Sequence, residues 1–251
     1  MTVYAYAWPV TTNPAAVIRR ASAELVGSAL LSAMVVGSGI AAAALSRDVG
    51  IQLLINSVAT AFGLFVLISV FGPISGAHFN PVVSLADYVF GLRGPRDVAP
   101  YITAQIVGCI AGSMLANVIF DLPPATWSTT QRISPGHLVG EVVATAGLIL
   151  VIFILSRTGR SHLAAAAVAT YIGSAYFFTS STSFANPAIT IGRMFSDTFA
   201  GIAPGSAPLF IGAQLIGAVA GIAAVRLLTD RPRLEPATAN APPKSRTAPL
   251  A

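Results

Sequence analysis

The sequence predicts an all-α membrane protein: six spanning helices, two re-entrant half-helices, and an inverted repeat of three spans plus three. Three observations lead there. Charge is scarce, the uncharged runs have the lengths of spanning helices, and the second half repeats features of the first. Charged residues make up 9% of the 251 and apolar residues 55%, against roughly 25% and 45–50% in an ordinary globular domain. Mean hydropathy is +0.76. So few charges cannot cover a soluble surface of this size, because apolar area exposed on that scale drives association. The same composition argues against a disordered chain, a collagen and a nucleic-acid-binding domain. Cys109 is the single cysteine, so neither an intramolecular disulfide nor a thiolate metal cluster can form. Residues 1–18 lack the apolar core of a signal peptide, and the first apolar run is long enough to stay as an anchor.

The runs free of Asp, Glu, Lys and Arg set the layout. They are 49–86, 98–120, 163–192 and 198–225; two more, 21–45 and 133–156, are interrupted only by Glu24 and Glu141. A helix needs about 20 apolar residues to cross the bilayer. The runs therefore predict spans near 17–43, 50–71, 98–120, 137–157, 162–179 and 205–228. Runs 49–86 and 163–192 are too long for one span and too short for two. Their surplus, Gly72-Pro73-Ile74-Ser75-Gly76 and Thr179-Ser180-Ser181-Thr182-Ser183, predicts segments that enter the membrane and turn back. Irregular backbone is tolerated at that depth only where protein buries it or it lines a wet cavity. That points to a pore.

With both termini cytoplasmic, eleven of the 14 Lys and Arg fall on the inner side and Arg47, Arg132 and Arg193 on the outer, the asymmetry that orients membrane proteins. Most of the +5 net charge is thus topology. The division is a cytoplasmic segment 1–16, a channel domain 17–228 with halves near 17–120 and 137–228, and a Pro- and Ala-rich disordered tail 229–251.

The repeat is legible in three features. Ala104-Gln105-Ile106-Val107-Gly108-Cys109-Ile110-Ala111-Gly112 aligns with Ala213-Gln214-Leu215-Ile216-Gly217-Ala218-Val219-Ala220-Gly221 at an offset of 109. Asn80-Pro81 and Asn186-Pro187 are offset by 106, and Glu24 and Glu141 by 117. Three spans per half is an odd number, so the second half is upside down, and such folds carry their site near the midplane. The glycines on the third and sixth spans let helix backbones approach closely.

Asn-Pro opens a helix, with Asn as N-cap and Pro at the first helical position. Asn80-Pro81-Val82 predicts a short helix to about Phe90, and Asn186-Pro187-Ala188 one to about Met194. Inverted symmetry brings the two N-termini together at the midplane, each carrying roughly +0.5 of an elementary charge, which repels cations. Each Asn caps its own backbone and can aim its side-chain NH₂ donors at the lumen. Unwound carbonyls near 74–78 and 181–185 supply acceptors for a neutral hydroxylated permeant.

At these residues the sequence resembles the aquaporin, or major intrinsic protein, family over about 17–228. The resemblance is carried by Ser75-Gly76-Ala77-His78-Phe79-Asn80-Pro81-Val82, by Ser183-Phe184-Ala185-Asn186-Pro187-Ala188, and by Gln105 and Gln214 with their glycines. Val82 stands where the family usually has Ala. The resemblance implies a homotetramer in lipid, one pore per subunit, no cofactor and no metal. It implies that Glu24 and Glu141 brace the re-entrant loops through backbone N–H groups. His78 is read either as a loop brace or as a pore-lining residue.

Ile189 departs from the family pattern, where an Arg follows the second Asn-Pro-Ala. Ungapped spacing puts Thr60, Ser174, Ser183 and Ile189 around the outer constriction, with Tyr171 or Tyr176 as alternatives to Ser174. A ring without aromatic or basic residues is wide and suits uncharged solutes such as glycerol, urea or arsenous acid. The stretch through Asp197-Thr198-Phe199-Ala200-Gly201-Ile202 resembles bacterial aquaglyceroporin-like members associated with arsenic resistance. Arg193, four residues after Ile189, is expected to line the outer vestibule and partly replace the lost charge. The alternatives are a water channel and a secondary transporter; the transporter would need an ion site among Glu24, Glu141 and Asp87. No constellation for enzyme chemistry is present in the sequence.

Overall fold

The structure, a computed structural model, describes residues 13–229. Its helices are α1 (Pro14–Leu45), α2 (Val49–Ser75), α3 (Pro81–Val89), α4 (Pro95–Ile119), α5 (Pro135–Arg157), α6 (Ala164–Phe178), α7 (Pro187–Gly192) and α8 (Ala207–Leu228). By length and composition α1, α2, α4, α5 and α8 can each cross a membrane. α6 has only 15 residues, but a 3-10 turn at Ser161–Leu163 precedes it. Together these rise about 29 Å, close to the thickness of the hydrocarbon core. Six spans result, and α3 and α7 are the half-helices. Residues 1–12 and 230–251, read above as parts of a cytoplasmic arm and a disordered tail, lie outside the described residues.

Proline punctuates the chain. Asn13-Pro14, Asn80-Pro81, Gly94-Pro95, Ser134-Pro135 and Asn186-Pro187 each open a helix, in the first turn, where a missing N–H breaks no helical bond. The side chains of Asn13, Asn80, Ser134 and Asn186 accept hydrogen bonds from first-turn N–H groups, and Asp48 does the same for α2. One expectation is corrected. α2 does not unwind at Gly72-Pro73 but continues to Ser75 with Pro73 inside it. Proline removes a single helical bond; the stop comes from Gly76, left-handed at φ 97°, where glycine carries no steric penalty. The first irregular stretch therefore begins at 76, not at 72 or 74.

Close helix contacts reproduce the repeat. Gly108 and Gly112 of α4 lie against the backbone of Leu25 and Ala29 in α1; Gly217 and Gly221 of α8 lie against Val142 and Ala146 in α5. A Cβ on Gly112 would fall 2.8 Å from the Ala29 carbonyl carbon, and one on Gly221 2.8 Å from the Ala146 oxygen. Large apolar side chains such as Phe62, Phe65, Ile216 and Val219 are exposed on the outside, whereas Asn56, Ser57, Thr60, Gln105 and Gln214 are buried. That distribution suits a lipid solvent around a polar interior.

Gly112→Val is expected to lose about 1–3 kcal/mol by forcing α4 off α1. Gly212→Ala, where a Cβ meets nothing within 4 Å, is expected to be neutral or stabilising by up to about 1 kcal/mol. Thermal unfolding of the detergent-solubilised proteins checks both.

Candidate functional site

Two loops without regular structure, 76–80 and 179–186, lead into α3 and α7. Their backbones turn repeatedly into the left-handed region. Ala77, Phe79, Thr182, Ser183 and Ala185 have φ of 50°, 49°, 62°, 49° and 46°, a region that side-chain-bearing residues rarely occupy. Two carboxylates hold them there. Glu24 accepts from His78 N (3.0 Å) and Phe79 N (2.7 Å); Glu141 accepts from Phe184 N and Ala185 N, both at 2.8 Å. The Gln105 side-chain amide donates to Glu24 (2.8 Å) and to Ser84 Oγ (2.9 Å), and that of Gln214 donates to Glu141 (2.7 Å) and to Thr190 Oγ1 (2.9 Å). Ser75 Oγ adds a bond of 2.6 Å to Glu24. Every one of these side chains is buried.

The half-helices meet N-terminus to N-terminus. Asn80 Oδ1 accepts from Val82 N at 3.1 Å, and Asn186 Oδ1 from Ala188 N at 3.0 Å and Ile189 N at 3.3 Å. Their amides do not point wholly into the lumen. Asn80 Nδ2 donates to Ala185 O (2.8 Å) and Asn186 Nδ2 to Phe79 O (2.7 Å), so each amide clasps the opposite loop and keeps one N–H beyond that bond. Pro81, Val82, Pro187 and Ala188 are buried beneath this clasp. The carbonyls of Ala77, His78, Ser183 and Phe184 accept no hydrogen bond among the described residues, which leaves them available as acceptors.

A cavity of about 360 Å³ follows these loops. Its lining runs from His78, Asp87 and Arg93, past Asn80 and Asn186, to Thr60, Tyr176, Ser183, Ile189 and Arg193. Ser174 is not there. It is exposed on the outer face of α6 and donates to Tyr171 O at 2.8 Å. Tyr176 takes the position, with its hydroxyl 3.0 Å from Thr60 Oγ1. Two residues turn a helix by about 200°, so a small difference in loop length exchanges the inner face for the outer. The cavity lining at this level thus contains an aromatic residue, Tyr176, one of the two alternatives to Ser174.

His78 combines both of its readings. It lines the cavity while Nδ1 lies 3.0 Å from Ser84 Oγ and Nε2 lies 3.4 Å from Asp87 and from Arg93. Arg193 also lines the cavity, although it is only 2% exposed. Its Nε donates to Ala200 O and its guanidinium stacks on Phe184, Cζ lying 3.4 Å from the ring centroid.

Sequence reasoning passed over a buried ion-pair network at the Arg93 end. Arg93 Nε donates to Asp87 at 2.8 Å and Nη2 to Ser75 O at 3.0 Å; Tyr101 Oη donates to the same carbonyl at 2.7 Å. Arg20 grips Asp97 with two bonds of 2.9 Å. Arg20 and Arg93 were counted as topological charges, yet both are 4% exposed and lock α1, α2, α3 and α4 together. The signal within reach was the spacing of Arg93 and Asp97, one helical turn apart.

Apolar helices wrapped around a cavity of re-entrant backbone and paired amides define a multi-pass membrane channel. Residues 11–185 match the family described as Major intrinsic protein, and the chain belongs to that family. Aquaglyceroporin AqpS of Rhizobium meliloti is 46% identical over 215 residues, spanning 86% of this chain and 92% of that protein. Aquaporin Z of Brucella melitensis is 34% identical over 81% of this chain and 95% of its own length. Among solved structures, the X-ray structure of the aquaglyceroporin from Plasmodium falciparum matches with a TM-score of 0.63 at 19% identity, covering 83% of this chain and 93% of that one, a likeness of fold. The chain is a channel for small solutes and not an enzyme.

Glu24→Gln turns an amide NH₂ toward backbone donors that have no other partner, as does Glu141→Gln. Each is expected to cost about 1–3 kcal/mol for every buried donor left unpaired. Both variants should therefore unfold at lower temperature than the parent, with Gln105→Leu intermediate.

Proposed function

We propose that the chain is a passive channel for small uncharged hydroxylated solutes of the glycerol, urea and arsenous-acid kind. The observation that carries this reading is the two-sided wall near Ile189. The hydroxyls of Thr60 and Tyr176 form a polar edge, and Ile189 with Phe184 forms an apolar one, in the lining of one cavity. A polyol has a hydroxyl edge and a hydrocarbon edge, so each meets its match, whereas a guanidinium at 189 would offer donors only. The name of the relative at 46% identity, an aquaglyceroporin, supports the same class.

The Arg93 end of the pore is assigned to the cytoplasm of an inner membrane, on the strength of the eleven basic residues counted to that side. A homotetramer is the assembly in keeping with the family. Cation exclusion is assigned to the facing N-termini of α3 and α7, with Asn80 and Asn186 as the midplane donors. A water-selective channel is the second reading; Tyr176 and Arg193, which bring an aromatic ring and a guanidinium to the lining, favour it. A coupled transporter is disfavoured by its lack of a free intramembrane carboxylate among the described residues. Glu24 and Glu141 accept loop N–H groups, and Asp87 is paired with Arg93.

Ile189→Arg tests the reading. Glycerol flux into proteoliposomes should fall about tenfold or more, with water flux falling less, since one obstructing charged side chain need add only about 1.4 kcal/mol to the barrier. Parental glycerol flux in that variant would refute the assignment of Ile189 to the solute-selecting wall.

A further inference from the structure

The two mouths of the pore are built on equivalent positions but carry opposite electrostatic solutions. At one mouth His78 packs edge-on to Tyr101, with ring centroids 5.6 Å apart, and Asp87 pairs with Arg93. An offset of 106 carries His78 to Phe184 and Asp87 to Arg193, and an offset of 109 carries Tyr101 to Phe210. Phe184 and Phe210 keep the edge-on contact at 5.2 Å, but the carboxylate has become a guanidinium. A second guanidinium joins it. Arg132, from the segment preceding α5, donates from Nε to Gly201 O (2.7 Å) and from Nη2 to Phe199 O (3.0 Å), and its Cζ lies 5.2 Å from the Phe184 ring centroid.

Both arginines therefore bear on one aromatic ring and on one loop, 199–201. Neither has a carboxylate within 4 Å: the ion pairs among the described residues are all at the other mouth, between Arg20 or Arg93 or His78 and Asp87 or Asp97. Asp197 and Asp48, on the same side, accept from Thr129 and from Ile51 N instead. After their carbonyl bonds, Arg193 keeps Nη1 and Nη2 and Arg132 keeps Nη1 without a protein acceptor among the described residues, and none of the three atoms is sealed from solvent. Arg132 and Arg193 line a hollow of about 200 Å³ whose remaining wall is mixed, Val49, Leu53 and Phe199 beside Asn56 and Thr182, and Arg193 also lines the main cavity.

We propose that Arg132 and Arg193 form an anion-binding site at this mouth, taking a small free oxyanion or carboxylate. Two buried cations brought together are costly when the carboxylate that acts on both, Glu141, lies beyond ion-pair distance and is engaged by the loop N–H groups. A planar or tetrahedral oxyanion accepts from guanidinium N–H forks through short charge-assisted bonds. The anion is held rather than conducted, because the wall of Ile189 and Phe184 cannot replace its hydration shell. Standing where hollow and cavity share Arg193, it obstructs the solute path. Only that last statement rests on the channel reading above.

The test uses the full-length protein and inorganic phosphate, with chloride at equal ionic strength as the control. In detergent, phosphate should raise the midpoint of thermal unfolding saturably, by about 5 °C at concentrations well above Kd. In Arg132→Gln the phosphate concentration for half effect should rise about tenfold, and Arg132→Lys should recover part of the loss. In proteoliposomes, external phosphate should slow glycerol flux reversibly, each variant being compared with its own phosphate-free rate. An equal response to chloride, or an undiminished phosphate response in both Arg132 variants, would overturn the site. A phosphate-dependent midpoint in a protein that passes no solute in any buffer would support the site and count against the channel.

Discussion

Each of the two membrane-depth carboxylates accepts hydrogen bonds from consecutive N–H groups of a loop that no helix or strand supports. Those loops hold five non-glycine residues in the left-handed region, a conformation that costs of order 1–3 kcal/mol per residue and persists only where surroundings over-determine it. Glu24 and Glu141 supply that determination. With the N–H groups turned toward the scaffold, the carbonyls of Ala77 and His78 and of Ser183 and Phe184 are left without protein partners among the described residues. Gln105 and Gln214 then tie each carboxylate to the side chain of Ser84 or Thr190, four residues into the turn after each Asn. The glutamates reach the loops because glycines let α4 and α8 close onto α1 and α5. Scaffold, loop and pore are thus one chain of dependence.

Function sits where the twofold pattern is broken. The clasp of Asn80 and Asn186 on the opposite loops is nearly identical in both halves, 2.8 Å and 2.7 Å, and it sets a symmetric midplane. Away from it the halves diverge. The His78–Asp87–Arg93 mouth is compensated, and the Phe184–Arg193–Arg132 mouth is not. Val83, the counterpart of Ile189, is buried in the same cavity lining, so the apolar residue after the Asn-Pro turn is common to both halves. The distinguishing feature is the displaced guanidinium of Arg193, one turn later.

What was legible in the sequence was what local chemistry dictates. Runs poor in charge marked the spans because a charge at bilayer depth is costly, and Asn-Pro marked the half-helices because that pair favours a helix start. The repeat was legible because glycine, glutamine and glutamate each have a fixed part in helix contact or loop bracing. Three things were not. The end of α2 was missed because Pro73 looks like a stop when it is only a defect in a helix that packing sustains. Ser174 was preferred to Tyr176 because the inner face of a helix depends on the length of the loop after it, which no local signal encodes. Arg20 with Asp97 and Arg132 with Phe184 join residues far apart in sequence, and a lone arginine in a loop looks the same whether it is solvated or buried.

Passive conduction of small neutral solutes is read most directly from the flux itself. Proteoliposomes holding the purified chain should be compared by stopped-flow with empty vesicles for water, glycerol, urea and arsenous acid. Uptake of the hydroxylated solutes should be linear in their gradient and indifferent to imposed proton or sodium gradients. Flux that saturates and follows an ion gradient, or permeability to water alone, would contradict it.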